Sequence, residues 1–252
     1  KDGYVPALRA MQCPGFVVPD VAFDATTVNT PAVAAVRTIE LRRADGSAMT
    51  EMVDVPSSYN PLQYFGFSTF VDPIEIPHFL IDRLETTNAE YQQFVDAGGY
   101  RDAQYWRDLE FVDNDQRLDW QTAVARFSDA TGKPGPAHWE LSKFPPGTAQ
   151  YPVYGISWYE AMAYARFRGK ALATLQHWVR AAMVISECCE PIAPKMARFG
   201  NFGGSVVDVG TTNALGPYGT FDMGGNVAEW TLSTVGGLHV ALGGSATQPA
   251  YM

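Results

Sequence analysis

Twice in this chain a hydroxyl residue is followed three positions later by a glutamate at the head of an apolar helical pattern: Thr87 with Glu90, and Ser157 with Glu160. That spacing is a capping box. The hydroxyl accepts the backbone N–H of the third helical residue, and the glutamate reaches back to the N–H of the capping residue. Two backbone donors that no helix can satisfy internally are thereby paired at each start. Tyr91, Phe94 and Val95 follow the first box at helical spacing and Gly98-Gly99 stops the pattern, which predicts a helix over 88–97 with one buried face. The second box predicts a helix to Arg168, ended by Gly169. Asp119 is placed to cap a helix from Trp120 to about Asp129 that buries Ala123, Val124 and Phe127. Thr174 opens a further one with Trp178, Ala181, Ala182 and Ile185 on one face.

Between these helices the chain is punctuated rather than periodic. Gly132 to Pro136 and Phe144 to Gly147 are loops by composition. Met52 to Pro56 and Ile74 to Asp82 read as strands. After Pro191 the helical signal fades. Asn201 to Gly204, Gly216 to Tyr218, Phe221 to Trp230 and Ala241 to Ser245 read as short strands joined by tight glycine turns. Strands seldom alternate with helices, so a doubly wound parallel sheet is disfavoured and an α+β domain is expected.

Residues 1–49 differ in texture. They carry four prolines, a weak alternating stretch from Val33 to Leu41 and an Asp45-Gly46 turn signal, so they read as a small β appendage or linker ahead of a main domain over 50–252. The formal charge of −9 opposes binding to phosphate backbones and excludes nucleic acid as an expected partner. No apolar run approaches the roughly 20 residues that span a bilayer. No signal peptide is visible, and a start at Lys1 suggests a processed or excised piece. The three cysteines, Cys13, Cys188 and Cys189, form neither a disulfide framework nor a zinc pattern, and their pairing stays open.

The order of the segments is itself informative. Phe79 to Phe94 carries F-x-I-D-x-x-E-T-T-N-A-E-Y-x-x-F; Gly155 to Ala165 carries G-I-S-W-Y-E-A-x-A-Y-A; Gly169 to Trp178 carries G-K-A-L-A-T-x-x-x-W. An N-F-G segment at Asn201, Y-G-T-F-D-M-G-G-N-V-A-E-W-T from Tyr218 to Thr231, and L-G-G-S from Leu242 to Ser245 close the series. From about residue 50 onward this resembles the formylglycine-generating-enzyme, or sulfatase-modifying-factor, family, which implies its irregular C-type-lectin-like α+β fold. Gly98 to Trp106, Ala130 to Glu140 and His177 to Ala182 resemble a bacterial branch whose modules often end larger proteins, membrane-anchored Ser/Thr kinases included. No kinase motif occurs in this chain.

The resemblance also sets chemical expectations. Formylglycine-forming members hold copper with two cysteines just after the G-G-S turn, since soft thiolates suit Cu(I). Here Gln248 aligns with the first of them and the second falls beyond Met252, so no copper chemistry is expected. Iron-dependent sulfoxide synthases of the family take histidines from a separate helical domain; His78, His138, His177 and His239 show no ligand spacing, so no iron is expected either. Calcium is the ligand the resemblance does imply, at Gly225, Asn226, Val227 and Glu229, with side-chain oxygens from Asn226 and Glu229 and backbone carbonyls from the others. The other reading is that Asn226 and Glu229 brace the turn by hydrogen bonds alone, and the sequence leaves the two open. A second family calcium site would begin at Asn201-Phe202, but Asp208 is the sole acid in reach of it.

These residues point to a non-catalytic binding or scaffolding module of a larger bacterial protein or assembly. It is expected outside the cytoplasm, with a protein or glycan partner. The alternative is an oxidoreductase of the formylglycine-generating or iron-dependent type.

Overall fold

In the computed structural model the described residues are 52–59, 75–113, 116–182 and 200–249. The appendage expected over 1–49, the three cysteines and Ile185 lie outside them. Two compact units are present: Lys1–Arg83 with Val179–Ile192 and Leu215–Thr220, and Leu84–Trp178 with Ala193–Ala214 and Phe221–Met252.

The first unit contains strands β1 (Met52–Val55), β2 (Ser58–Tyr59), β3 (Glu75–Ile76) and β4 (Phe79–Asp82). β1 pairs antiparallel with β4 and β2 with β3, giving two separate two-stranded sheets. The single strand expected over 74–82 is therefore two. Pro77 supplies no N–H to a ladder, and the pairing changes partner there. Val53, Val55 and Ile76 are buried. The Arg180 guanidinium lies 4.8 Å from the Tyr218 ring centre, and its Nε donates to the Pro56 carbonyl at 3.2 Å.

The second unit holds α1 (Asn88–Asp96), β5 (Phe111–Asp113), β6 (Gln116–Leu118), α2 (Trp120–Val124), α3 (Trp158–Phe167), β7 (Glu229–Val235) and β8 (Leu238–Leu242). Helix α4 (Leu175–Ala182) contributes residues to both units. Both capping boxes form in full. At α1 the Thr87 N–H donates to Glu90 Oε2 at 2.8 Å, and the Glu90 N–H donates to Thr87 Oγ1 at 3.2 Å. Thr174 caps α4, its hydroxyl accepting the His177 N–H at 3.2 Å. Substituting Thr87 by alanine should cost about 1–2 kcal/mol, read as a lower denaturation midpoint with an unchanged m-value, while Thr87→Ser stays close to the parent.

The core of this unit is aromatic. Tyr91, Phe94, Tyr100, Trp106, Phe111, Trp139 and Tyr164 are buried together with Ala123, Val124, Val153 and Ala163. Rings meet edge-on, tilted or stacked, as at Tyr91–Tyr164 (5.2 Å) and Trp106–Phe127 (5.8 Å). Buried hydroxyls among these rings need partners. The Tyr91 and Tyr100 hydroxyls lie 3.0 Å apart, and Tyr100 donates to Glu160 Oε1 at 2.6 Å. Glu160 thus caps α3 with one oxygen and closes a core hydrogen-bond chain with the other. Burial pushes its carboxyl above the ordinary range.

Two expectations are corrected. Helix α2 ends at Val124 rather than near Asp129. The chain tightens into i−3 bonds at Arg126 and Phe127, and then Asp129 takes the N–H groups of Thr131 and Lys133 on one oxygen and that of Ser142 on the other. That cap for a loop replaces the next helical turn. Phe127 still reaches the core. In the last third, the segments 201–204 and 216–218 form no strand, and Phe221 to Ala228 is irregular, with an isolated bridge from Gly225 to Asn201. The regular structure there is the β7–β8 hairpin, joined by Gly236-Gly237, whose φ values of 59° and 82° suit a two-residue turn. The architecture is α+β with small sheets and much irregular backbone, as expected.

Candidate functional site

The segment Asp222–Glu229 enters β7 through two left-handed positions in succession, Gly225 (φ 88°) and Asn226 (φ 56°). Gly225 lies against the backbone of Asn201. A Cβ there would come within 2.5 Å of the Asn201 carbonyl oxygen, so the close approach itself demands glycine. Its N–H donates to the Gly243 carbonyl at 2.8 Å, and the Asn226 N–H donates to Asn201 O at 2.9 Å. The N-F-G, G-G-N-V and L-G-G-S segments are thereby stitched into one knot.

Asn226 fills the middle of that knot and is 1% exposed. Its Oδ1 accepts from Asn201 Nδ2 (3.0 Å) and from the Val207 N–H (3.1 Å). Its Nδ2 donates to Glu85 Oε2 (2.7 Å) and to the Val207 carbonyl (3.3 Å). Glu85 Oε1 in turn accepts the Val227 N–H at 3.1 Å. Asn226 therefore braces the turn, one of the two roles open to it from sequence, and its side-chain oxygen is committed to N–H donors.

Three carboxyl groups approach one another here. Asp222 is buried at φ 58° and accepts from the Gly210 N–H at 2.6 Å and from the Thr212 hydroxyl. Glu229 accepts from the indole N–H of Trp178. Burial, then the nearby Glu229 and Asp222, push the Glu85 carboxyl up to about 9, against the pull of its Asn226 bond. Glu229 is raised to about 7 by burial and by Asp222, with the Trp178 bond acting the other way. Glu229 as a residue is half-buried, but its carboxyl end turns inward to Trp178. The donors named for these three groups are all uncharged, and the crowding of the acids shows in the upward shifts of Glu85 and Glu229.

A hard divalent ion takes carboxylate and backbone carbonyl oxygens. Asp222 and Glu229 would supply the carboxylates, with backbone oxygens from Gly225 and Val227. Among the described residues no three acidic, histidine or cysteine side chains form a metal-ligating group by themselves, so carbonyl oxygens would have to complete any shell. Asp222 and Glu85 were not singled out from sequence. The signal for Asp222 was its place three residues before Gly225 in the same motif. Glu85 is the glutamate of the F-x-I-D-x-x-E segment, but nothing local tied it to this turn, which it joins from 141 residues away.

The remaining candidates have local roles. Gln248 is exposed on the segment after Gly243-Gly244-Ser245; its N–H donates to Ser245 O (3.0 Å) and its carbonyl accepts from Gly203 (3.2 Å). His78 pairs with Asp54, His138 stacks on Tyr154 at 3.8 Å, and His239 stacks on Trp158 at 3.7 Å. His177 Nδ1 lies 2.6 Å from the Thr174 hydroxyl at the start of α4.

Short two-stranded sheets, capped helices and a glycine knot braced from inside define a C-type-lectin-like α+β domain of the sulfatase-modifying type. The Sulfatase-modifying factor enzyme 1-like domain matches residues 57–251, and the chain belongs to that family. It is 28% identical over 165 residues to "Serine/threonine-protein kinase pkn1" of Chlamydia caviae, covering 64% of this chain and 23% of that protein. It is 29% identical over 175 residues to "Hercynine oxygenase" of Mycolicibacterium smegmatis, covering 64% of this chain and 38% of that one. It is also 29% identical over 194 residues to "Inactive C-alpha-formylglycine-generating enzyme 2" of Bos taurus, covering 65% and 62%. The chain thus spans only a minor part of the first two relatives. No helix among the described residues is long and apolar enough to cross a membrane.

Proposed function

We propose that this chain is a non-catalytic binding or scaffolding module on a sulfatase-modifying-factor fold, acting as a subunit or extracytoplasmic part of a larger bacterial protein or assembly. The observation that carries this reading is Gln248, an amide at the position where the family's first copper-binding cysteine would stand, beside G-N-V-x-E-W and G-G-S motifs that match the family. A relative named as inactive and others named as kinases are in keeping with a fold retained for purposes other than oxidation. Its partner would be a protein or a glycan. The second reading, an oxidoreductase, is favoured by the relatives named hercynine oxygenase. Oxygen uptake with thiol substrates and added copper or iron separates the two: none is expected, and sustained turnover would sink the non-catalytic reading.

A calcium ion at Asp222, Gly225, Val227 and Glu229 is part of the same proposal, as a structural brace with no chemical step. Saturation at about 100 times the dissociation constant should add about 2.7 kcal/mol. That corresponds to a rise of about 5–10 °C in melting temperature over a chelated sample for a domain of this size. Asp222→Asn should abolish most of that rise. An identical melting curve in calcium and in chelator would remove calcium from the proposal and leave the binding module standing.

A further inference from the structure

The β7–β8 hairpin is not one continuous ladder. Its root pairs Glu229 with Leu242 and Trp230 with Ala241, and its tip pairs Thr234 with His239 and Val235 with Leu238. The register shifts between Trp230 and Thr234, so that Thr231, Leu232 and Ser233 stand opposite Val240. Such an irregularity interrupts the ladder and bends the strand. This bulge is itself tied down. The Leu232 N–H donates to the Ala173 carbonyl at 2.8 Å, Ser233 Oγ accepts the Leu175 N–H at 3.0 Å, and the Thr231 carbonyl accepts the Trp158 indole N–H at 2.8 Å.

The tip is held differently. No backbone hydrogen bond leads from 234–239 to another described element. Val235 and Leu238 are exposed, and a Cβ on Gly236 or Gly237 would meet nothing within 4 Å. Among the described residues, His239 is the tip residue with ring contacts outside the hairpin. Its imidazole lies flat on the Trp158 indole, with 3.7 Å between centres and 8° between planes, and Tyr159 meets it edge-on at 6.0 Å. His239 Nδ1 is buried there with no hydrogen-bond partner among the described residues. The nearby acids turn elsewhere. Glu160, beside Trp158 and Tyr159 on α3, gives its oxygens to Ser157 and Tyr100. Glu229, at the hairpin root, accepts from Trp178. Burial holds the His239 imidazole below the ordinary histidine range, and no charged group among the described residues contributes.

Protonation of this ring has two opposed effects. A cation over an indole face is attracted by it, weakly where the pair is part-exposed, as both rings are here. A second N–H at a nitrogen shut off from water and from acceptors loses its solvation without replacement. The loss outweighs the attraction, in agreement with the downward direction of the shift.

We propose that His239 and Trp158 form a pH-sensitive latch. The stack closes the tip Thr234–His239 onto the start of α3 while the imidazole is neutral, and protonation releases the tip about the 231–233 bulge. By linkage, a base held below its unfolded value of about 6.5 contributes in full above that pH and progressively less as the pH falls below it. The latch goes beyond the binding reading and depends on neither calcium nor catalysis.

Proton NMR of the histidine rings, together with hydrogen exchange of the hairpin amides, tests it on the whole chain between about pH 5 and pH 8. His239 should titrate below about 6.5, and the tip amides should lose protection on acidification after correction for intrinsic exchange rates. His239→Phe keeps a flat ring on Trp158 without a titrating group, so its tip should stay protected throughout. His138, His177 and the carboxyl groups beside the hairpin root remain in that variant, so the difference from the parent belongs to His239. If the variant loses its near-ultraviolet spectrum, His239→Gln takes its place, with tip protection that does not vary with pH. Titration of His239 at or above about 6.5 overturns the proposal. Tip protection that ignores pH in the parent does so too. Acid loosening of equal size in a folded variant also overturns it, since another group would then be responsible.

Discussion

Asn226→Ala should lower the stability of this domain by about 3–5 kcal/mol. Four hydrogen bonds disappear with the amide: a fully buried one to Glu85 and three half-buried ones to Asn201 and Val207. Two of those partners become costly when left alone. Glu85 loses the donor that holds its carboxyl down while burial and the neighbouring acids continue to push it up. The Val207 N–H loses its acceptor. The expected fall in melting temperature is on the order of 10 °C. Asn226→Asp sharpens the test. If Asn226 were a calcium ligand, a carboxylate in its place would be rescued by calcium. As a brace it places an oxygen against Glu85 Oε2 where an N–H was needed, so the variant should be destabilised with and without calcium. Denaturant midpoints in both conditions decide the matter, and full rescue of Asn226→Asp by calcium would contradict the bracing role.

Gly225→Ala should cost roughly 3 kcal/mol or more, because two penalties combine there. The residue must hold φ near 88°, and its added methyl would sit 2.5–2.8 Å from three backbone atoms of Asn201, which no rotamer change can move. Gly236→Ala is the comparison. It too has a positive φ, 59°, but a Cβ there meets nothing within 4 Å. It should cost only about 1 kcal/mol, the conformational penalty alone. A difference of 2 kcal/mol or more between the two variants in chemical denaturation is the predicted signature of the close backbone approach. Equal losses would mean that the knot around Asn201 relaxes freely.

Local physics made part of this structure legible in advance. Thr87–Glu90 and Ser157–Glu160 specify helix starts because the capping box is closed within four residues, and both form as expected. Gly169, with φ 67°, ends α3 for a similarly local reason. The length of α2 was misjudged because its end is set by Asp129 bonding forward to Ser142, a contact between residues thirteen apart. The strand over 74–82 divides at a proline that was visible, but its change of partner was not.

The candidate site divides along the same line. Gly225, Asn226, Val227 and Glu229 stand out in sequence because a run of glycine, amide and acid in one turn is locally unusual. That alone could not assign Asn226 as ligand or brace, since the choice depends on where its amide points. The fold brings Glu85, Asn201 and Val207 around it, the first from 141 residues away. The sequence by itself determined the helix starts, the glycine turns, the family and the amide at position 248, because each rests on residues close in the chain. Only the tertiary structure decided that Glu85, Asp222 and Glu229 share a buried space. Burial and mutual electrostatics act between residues that the chain order keeps apart.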